Sequence, residues 1–193
     1  EKCPTCFHAV QTAANILQEN GFVRLNENWN LQPGGKYYTV RGGSSLIAFR
    51  LPNADPTGFL VTAAHTDSPC FRIKPNAEIK CEGGLVKLNT ELYGGAVMST
   101  WMDRPLSLAG RVIVASETGS ITTPKVMLMR INRPIATIPN LAIHFNRQVN
   151  DGVALSKQKD MLPVITAGNM CLNEKQTKHG ILKALISDEL GIA

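Results

Sequence analysis

The chain is 193 residues long, with a formal net charge of +5, 44% hydrophobic and 18% charged residues. Those proportions exclude intrinsic disorder, and no apolar run nears the ~18 residues that a membrane-spanning helix requires. The charge is spread evenly, with basic residues in pairs such as Arg130 with Arg133 and no basic stripe, so nucleic acid is not expected as a partner. Phe7, Val10, Ala14 and Leu17 recur at helical spacing, which predicts an early helix with one apolar face, closed by Gly21. Phe22 to Leu25 starts an extended segment, and Asn30 to Gly35 is a loop. Lys36–Val40 and Ser45–Arg50 read as strands joined by a hairpin turn at Arg41–Ser44. Gly58–Ala64 (GFLVTAA) is a nearly unbroken apolar run of strand length, the pattern of a strand buried on both faces.

Beyond about residue 80 the character changes. Gly83-Gly84 and Gly94-Gly95 punctuate short β-prone pieces, Arg111–Ala115 and Lys125–Ile131 read as strands, and Pro124, Pro134 and Pro139 keep helices out. A helix returns only over Glu174–Leu190, with an apolar stripe of Leu182, Ile186 and Leu190. The expected organisation is therefore α/β, with residues 1–80 as one unit and residues 81–193 as a β-rich unit ending in a helix. Glu1 opens the chain without the regions of a signal peptide, and the chain stops abruptly three residues past Leu190. Five cysteines, an odd number, read as reduced thiols, which makes the cytoplasm the expected compartment. Cys3-Pro4-Thr5-Cys6 lacks the second close pair of a zinc ribbon and the preceding strand of a redox motif.

The sharpest chemical signal follows the apolar run. His65 sits past its C-terminal end, the place where open α/β sheets bind ligands. In extended backbone, residues two apart point the same way, so His65 and Asp67 face one direction. A metal-binding histidine donates its other ring N–H to a carboxylate, and His-x-Asp supplies that pair. The plain alternative is a strand-end histidine bonded to a nearby turn carboxylate. One pair does not make a hydrolase, because catalytic zinc needs about three protein ligands and an open position. His8, beside the apolar face of the first helix, reads as structural, and His179 as solvated. His144 lies in an apolar segment, Pro139–Arg147, that reads as core or interface. Arg41-Gly-Gly-Ser-Ser45 lacks both a nucleophile elbow and a P-loop ending and reads as a turn. At Trp101-Met-Asp103-Arg104 an Asp–Arg bond holding a turn is expected.

AAHTDSP at 63–69 resembles the first metal motif of the M18 metallopeptidases, the aspartyl aminopeptidase family. CPTCFHAV at 3–10 resembles the family's opening helix, where Ser or Pro is more usual at the Cys positions. LNTELYGGAVMSTWMDRPLSLAGRV at 88–112 resembles its Tyr-Gly-Gly and Trp-x-Asp-Arg stretch, and INRPIATIPNLAIHFNR at 131–147 and SKQKDMLPVI at 156–165 resemble its inserted domain. The resemblance runs in order along nearly the whole chain. It implies part of a two-zinc aminopeptidase catalytic domain (a mixed sheet with helices) in residues 1–80, and an inserted β-rich dimerisation domain in residues 81–193. By the same resemblance His65 is a zinc ligand, and Asp67 is the catalytic-site carboxylate that orients it. His144 matches a substrate-contacting histidine that one subunit offers to its neighbour.

The resemblance further implies an enzyme that removes N-terminal residues, acidic Asp or Glu, from peptide substrates by metal-activated water. It implies assembly as a homo-oligomer, a dimer and possibly a dodecamer. The family's bridging Asp, last zinc-binding His and general-base Glu have no counterpart in residues 81–193, so the chain is expected to be inactive alone. Histidine and carboxylate ligands suit zinc, manganese and cobalt alike. Two other readings stay open: a non-catalytic relative acting as an oligomerisation or peptide-binding module, and a small α/β binding domain with one structural His–Asp pair.

Overall fold

The computed structural model describes residues 2–27, 29–115, 124–166 and 180–192. In chain order the elements are α1 (Cys6–Glu19), β1 (Val23–Arg24), β2 (Lys36–Arg41), β3 (Ser45–Arg50), β4 (Cys70–Lys80), β5 (Val86–Tyr93), β6 (Ala109–Val114), β7 (Lys125–Arg130), β8 (Val164–Thr166) and α2 (Ile181–Leu190). Short 3-10 turns lie at Glu82–Gly84 and Met98–Trp101. The chain is mixed α/β and divides into two compact units, Glu1–Ser68 with Ala109–Leu128, and Pro69–Leu108 with Met129–Ala193.

In the first unit α1 starts at Thr5, whose hydroxyl accepts the His8 backbone N–H at 3.4 Å and lies 2.8 Å from His8 Nδ1. His8 thus has the structural place expected of it. Gly21, at φ 78°, ends the helix. Its N–H reaches Gln18 O at 3.0 Å, and the Phe22 N–H reaches Leu17 O at 2.9 Å. Those two bonds satisfy carbonyls that the last turn leaves open, and they need a left-handed residue between them. β1 lies parallel to β2, and β2 pairs antiparallel with β3 from Lys36↔Arg50 to Arg41↔Ser45. The hairpin turns at Gly42 and Gly43, φ 58° and 72°, as expected from Arg41–Ser44. Val10, Leu25, Tyr37 and Tyr38 form the buried centre. Arg111 of β6 stacks its guanidinium 4.3 Å above the Phe7 ring and donates from Nη1 to Gly42 O at 3.2 Å.

The buried strand expected at Gly58–Ala64 is not found. The run forms no strand, and Phe59, Leu60 and Val61 are 93%, 99% and 79% exposed. A strand apolar on both faces is stable only with a strand at its edge and a layer over each face. Among the described residues β3 bonds β2 alone, and no element covers the run.

The second unit is built on the antiparallel sheet β4–β5–β8. The β4–β5 register shifts between Ile73 and Glu78, around Pro75, which cannot donate to a ladder. Val86, Leu88, Met129, Ile131, Ile138 and Met161 are buried. Of the helix expected over Glu174–Leu190, the described part is α2, and residues 174–179, including His179, lie outside the described residues. Its first turn is held by Glu78, whose Oε1 accepts the Leu182 N–H at 2.7 Å.

Candidate metal-ligand pair and histidine loop

Just past the apolar run the chain is fixed by Thr66, whose hydroxyl donates to Ser44 O of the β2–β3 turn at 2.9 Å. On either side of Thr66, His65 and Asp67 come together as their spacing requires. His65 Nδ1 lies 2.9 Å from the Asp67 carbonyl oxygen and 3.0 Å from Asp67 Oδ1. A carbonyl and an ionised carboxylate only accept, so both contacts are satisfied when Nδ1 carries the proton. Nε2 then holds the lone pair, the form in which a histidine binds a metal. The side chains are 83% and 41% exposed, so water screens their attraction and the pair acts by orientation.

Among the described residues no group of three His, Cys, Asp or Glu side chains converges as a metal site. A catalytic zinc takes three protein ligands and a structural zinc four. His65 with Asp67 therefore fits one ligand position, and the described residues do not by themselves make up a zinc site. A separate cavity of about 1260 Å³ in the first unit is lined by Arg24, Trp29, Thr39, Arg41, Ile47 and their neighbours, and neither His65 nor Asp67 lines it.

His144 belongs to the second unit. It sits exposed in a turn where the Phe145 and Asn146 N–H groups both reach Ala142 O, at 2.8 and 3.2 Å. Leu141, Ile143 and Phe145 around it are exposed as well. The entry to this loop is anchored on the Trp-x-Asp-Arg stretch. Met102 bridges Ile138, and Leu106 bridges Ala136. Asp103 donates its N–H to Ile138 O at 2.8 Å, and its Oδ1 accepts the Asn140 N–H at 2.9 Å. The expected Asp103–Arg104 bond is thus replaced. Adjacent residues do not face each other readily, and the Asp103 carboxylate turns instead to a backbone donor of the neighbouring segment. Asp103 holds this place at φ 55°, the one positive-φ non-glycine among the described residues.

The Tyr-Gly-Gly stretch meets the proline that ends AAHTDSP. A Cβ on Gly94, φ 78°, would lie 3.3 Å from Pro69 Cα. Beside it the Arg72 guanidinium lies 3.6 Å over the Tyr93 ring, and Phe71 meets Trp101 edge-on at 5.0 Å. Residue patterns alone missed Thr66, Ser44 and Asn140. Each acts through a hydrogen bond across 22 or 37 positions, which no local pattern displays.

A family model described as "Aminopeptidase I zinc metalloprotease (M18)" matches residues 1–193. The "Probable M18 family aminopeptidase 2" of Clostridium novyi (strain NT) is 45% identical over 195 residues, covering 99% of this chain and 44% of the relative. Its namesake in Clostridium acetobutylicum is 47% identical over 192 residues, covering 97% and 43%. The solved structure of Chaetomium thermophilum mApe1 matches with a TM-score of 0.81 at 34% identity, covering 99% of this chain and 45% of that one. The chain spans less than half the length of the curated relatives it matches.

Proposed function

Because the chain belongs to the M18 zinc metalloprotease family, we propose that it forms the N-terminal part of a cytoplasmic metal-dependent aminopeptidase that removes N-terminal residues, Asp and Glu foremost, from peptides. The observation that carries this reading is the donation from His65 Nδ1–H to the two Asp67 oxygens, which leaves Nε2 free to act as a ligand. A zinc ion supplies a polarised carbonyl and an activated water in such sites. Here His65 would hold one ion of a two-ion site, and Asp67 would fix the ring and its tautomer. The remaining ligands and the general base would come from residues beyond these 193, and so the chain is inactive alone. The exposed Phe59, Leu60 and Val61 support that view, since an apolar run of strand length lies there uncovered.

His144 is the substrate-contacting residue in this proposal, offered to a second copy of the chain in a homo-oligomer. The exposed Leu141, Ile143 and Phe145 beside it support a protein contact at that loop. The thiols Cys3, Cys6 and Cys81, none of them in a disulfide, suit a reducing compartment.

The test compares the 193-residue chain with the longer aminopeptidase that contains it, each as wild type and His65→Ala. Zinc content is read by atomic absorption and turnover on aspartyl-, glutamyl- and leucyl-p-nitroanilide. The chain alone is expected to release no nitroaniline with zinc added. The longer enzyme is expected to favour the acidic substrates and to lose zinc and turnover with His65→Ala. Turnover by the chain alone, or full zinc retention in His65→Ala, overturns the assignment.

A further inference from the structure

The histidine loop has a fixed point that the motifs alone do not reveal. Its first residue, Asn140, is tied to Asp103 by a carboxylate-to-backbone bond of 2.9 Å, and the Asn140 side chain in turn accepts the Leu141 N–H at 2.9 Å. The Asp103 N–H holds Ile138, two residues earlier, at 2.8 Å, and Ile138 is fully buried. Asp103 thus grips the loop's entry from both sides of Pro139, joining a buried residue to an exposed one. It does so at φ 55°, where only glycine sits without cost and Asn and Asp sit with the least cost among the others. Such a conformation persists where the surrounding bonds over-determine it. Among the described residues, the backbone bonds between Leu141 and His144 are those of the turn on Ala142, so the Asp103 bonds are the anchor that lies four residues before the imidazole.

We infer that Asp103 is the positioning residue for His144: its carboxylate sets the direction in which the loop presents the imidazole. The inference rests on the reading of His144 as a substrate contact. Asp103 touches no substrate itself and acts through Asn140.

Three variants separate the parts of the grip. Asp103→Asn keeps an acceptor oxygen and tolerates the left-handed backbone. Asp103→Gly relieves the backbone and removes the acceptor. Asp103→Ala removes the acceptor and keeps the strain. In the 193-residue chain, amide exchange at Asn140 and the ring carbon–proton resonance of His144 are followed by NMR. In the longer enzyme, KM and kcat are measured beside His144→Ala. With Asp103→Gly and Asp103→Ala, Asn140 is expected to exchange about tenfold faster and the His144 resonance to move. The β4–β5 amides keep their protection. KM rises in the same direction as in His144→Ala while kcat changes little, and Asp103→Asn restores the wild-type values. A Gly variant with wild-type His144 resonance and KM overturns the positioning role. If His144→Ala itself leaves KM unchanged, the substrate-contact reading falls instead, and the NMR arm still decides whether Asp103 orients the ring.

Discussion

Gly94 is the point where the Tyr-Gly-Gly stretch presses on the end of AAHTDSP, and replacing it by alanine measures that contact. The new Cβ would sit 3.3 Å from Pro69 Cα and 3.4 and 3.5 Å from its ring carbons. Backbone and a rigid ring cannot swing away, so the chain must shift, at about 1 kcal/mol, the low end of overpacking costs. A side chain at φ 78° adds about 1 kcal/mol of left-handed strain. Gly83 supplies the control, because it has nearly the same φ, 70°, and a Cβ added there would meet nothing within 4 Å. Gly83→Ala carries the backbone strain alone. The entropy that alanine removes from the unfolded chain is common to both variants and cancels in their difference. Gly94→Ala is therefore expected to be about 1–2 kcal/mol less stable than wild type, net of that entropy, and about 1 kcal/mol less stable than Gly83→Ala, a difference of roughly 2–4 °C in Tm for a chain of this size. Urea unfolding followed by Trp101 fluorescence in a Trp29→Phe background reads the unit that holds both glycines. Equal midpoints for the two alanine variants would refute the contact with Pro69.

Three further outcomes are expected. The Thr90 hydroxyl is buried without a hydrogen-bond partner among the described residues, so Thr90→Val should stabilise the chain by about 1 kcal/mol; a lower urea midpoint would show that the hydroxyl is bonded. Arg111→Ala removes the stack on Phe7 and the bond to Gly42 O, and should cost about 1 kcal/mol, with Arg111→Lys recovering only part; full recovery by lysine would reduce the contact to simple charge. Asp67→Asn can present an amide N–H to His65 Nδ1, so nitrogen NMR should show a larger share of the Nε2–H tautomer, and unchanged ring nitrogen shifts would mean that the Asp67 carbonyl alone sets it.

The parts of the fold that sequence patterns revealed are those whose physics is local. The α1 end is written in Gly21, and the β2–β3 turn in Gly42-Gly43, because a positive φ is a demand on one residue. The His65–Asp67 pair was legible for the same reason, since two residues of extended backbone bring the side chains together. β4 was not legible: Pro75 and the shift in register break the alternation that would mark an eleven-residue strand. Glu78 reaches the start of α2 from 104 positions away. The partner of Asp103 was misread because a neighbouring arginine is visible in the sequence, while a backbone N–H brought close by folding is not.

Gly58–Ala64 shows the opposite failure, and it bears on how the His65–Asp67 pair is held. An all-apolar run states that burial is needed without stating what will do the burying. Here the run lies open, yet the pair that follows it already has its bonded geometry. The ring of His65 therefore owes its direction to bonds within three residues and to the Thr66–Ser44 anchor, rather than to a packed strand beneath it. A ring held in this way has its Nδ1–H tautomer set by local acceptors alone. The cost of ordering that ring is then met within the chain itself, and on the proposed function a metal would meet an Nε2 already directed and unprotonated.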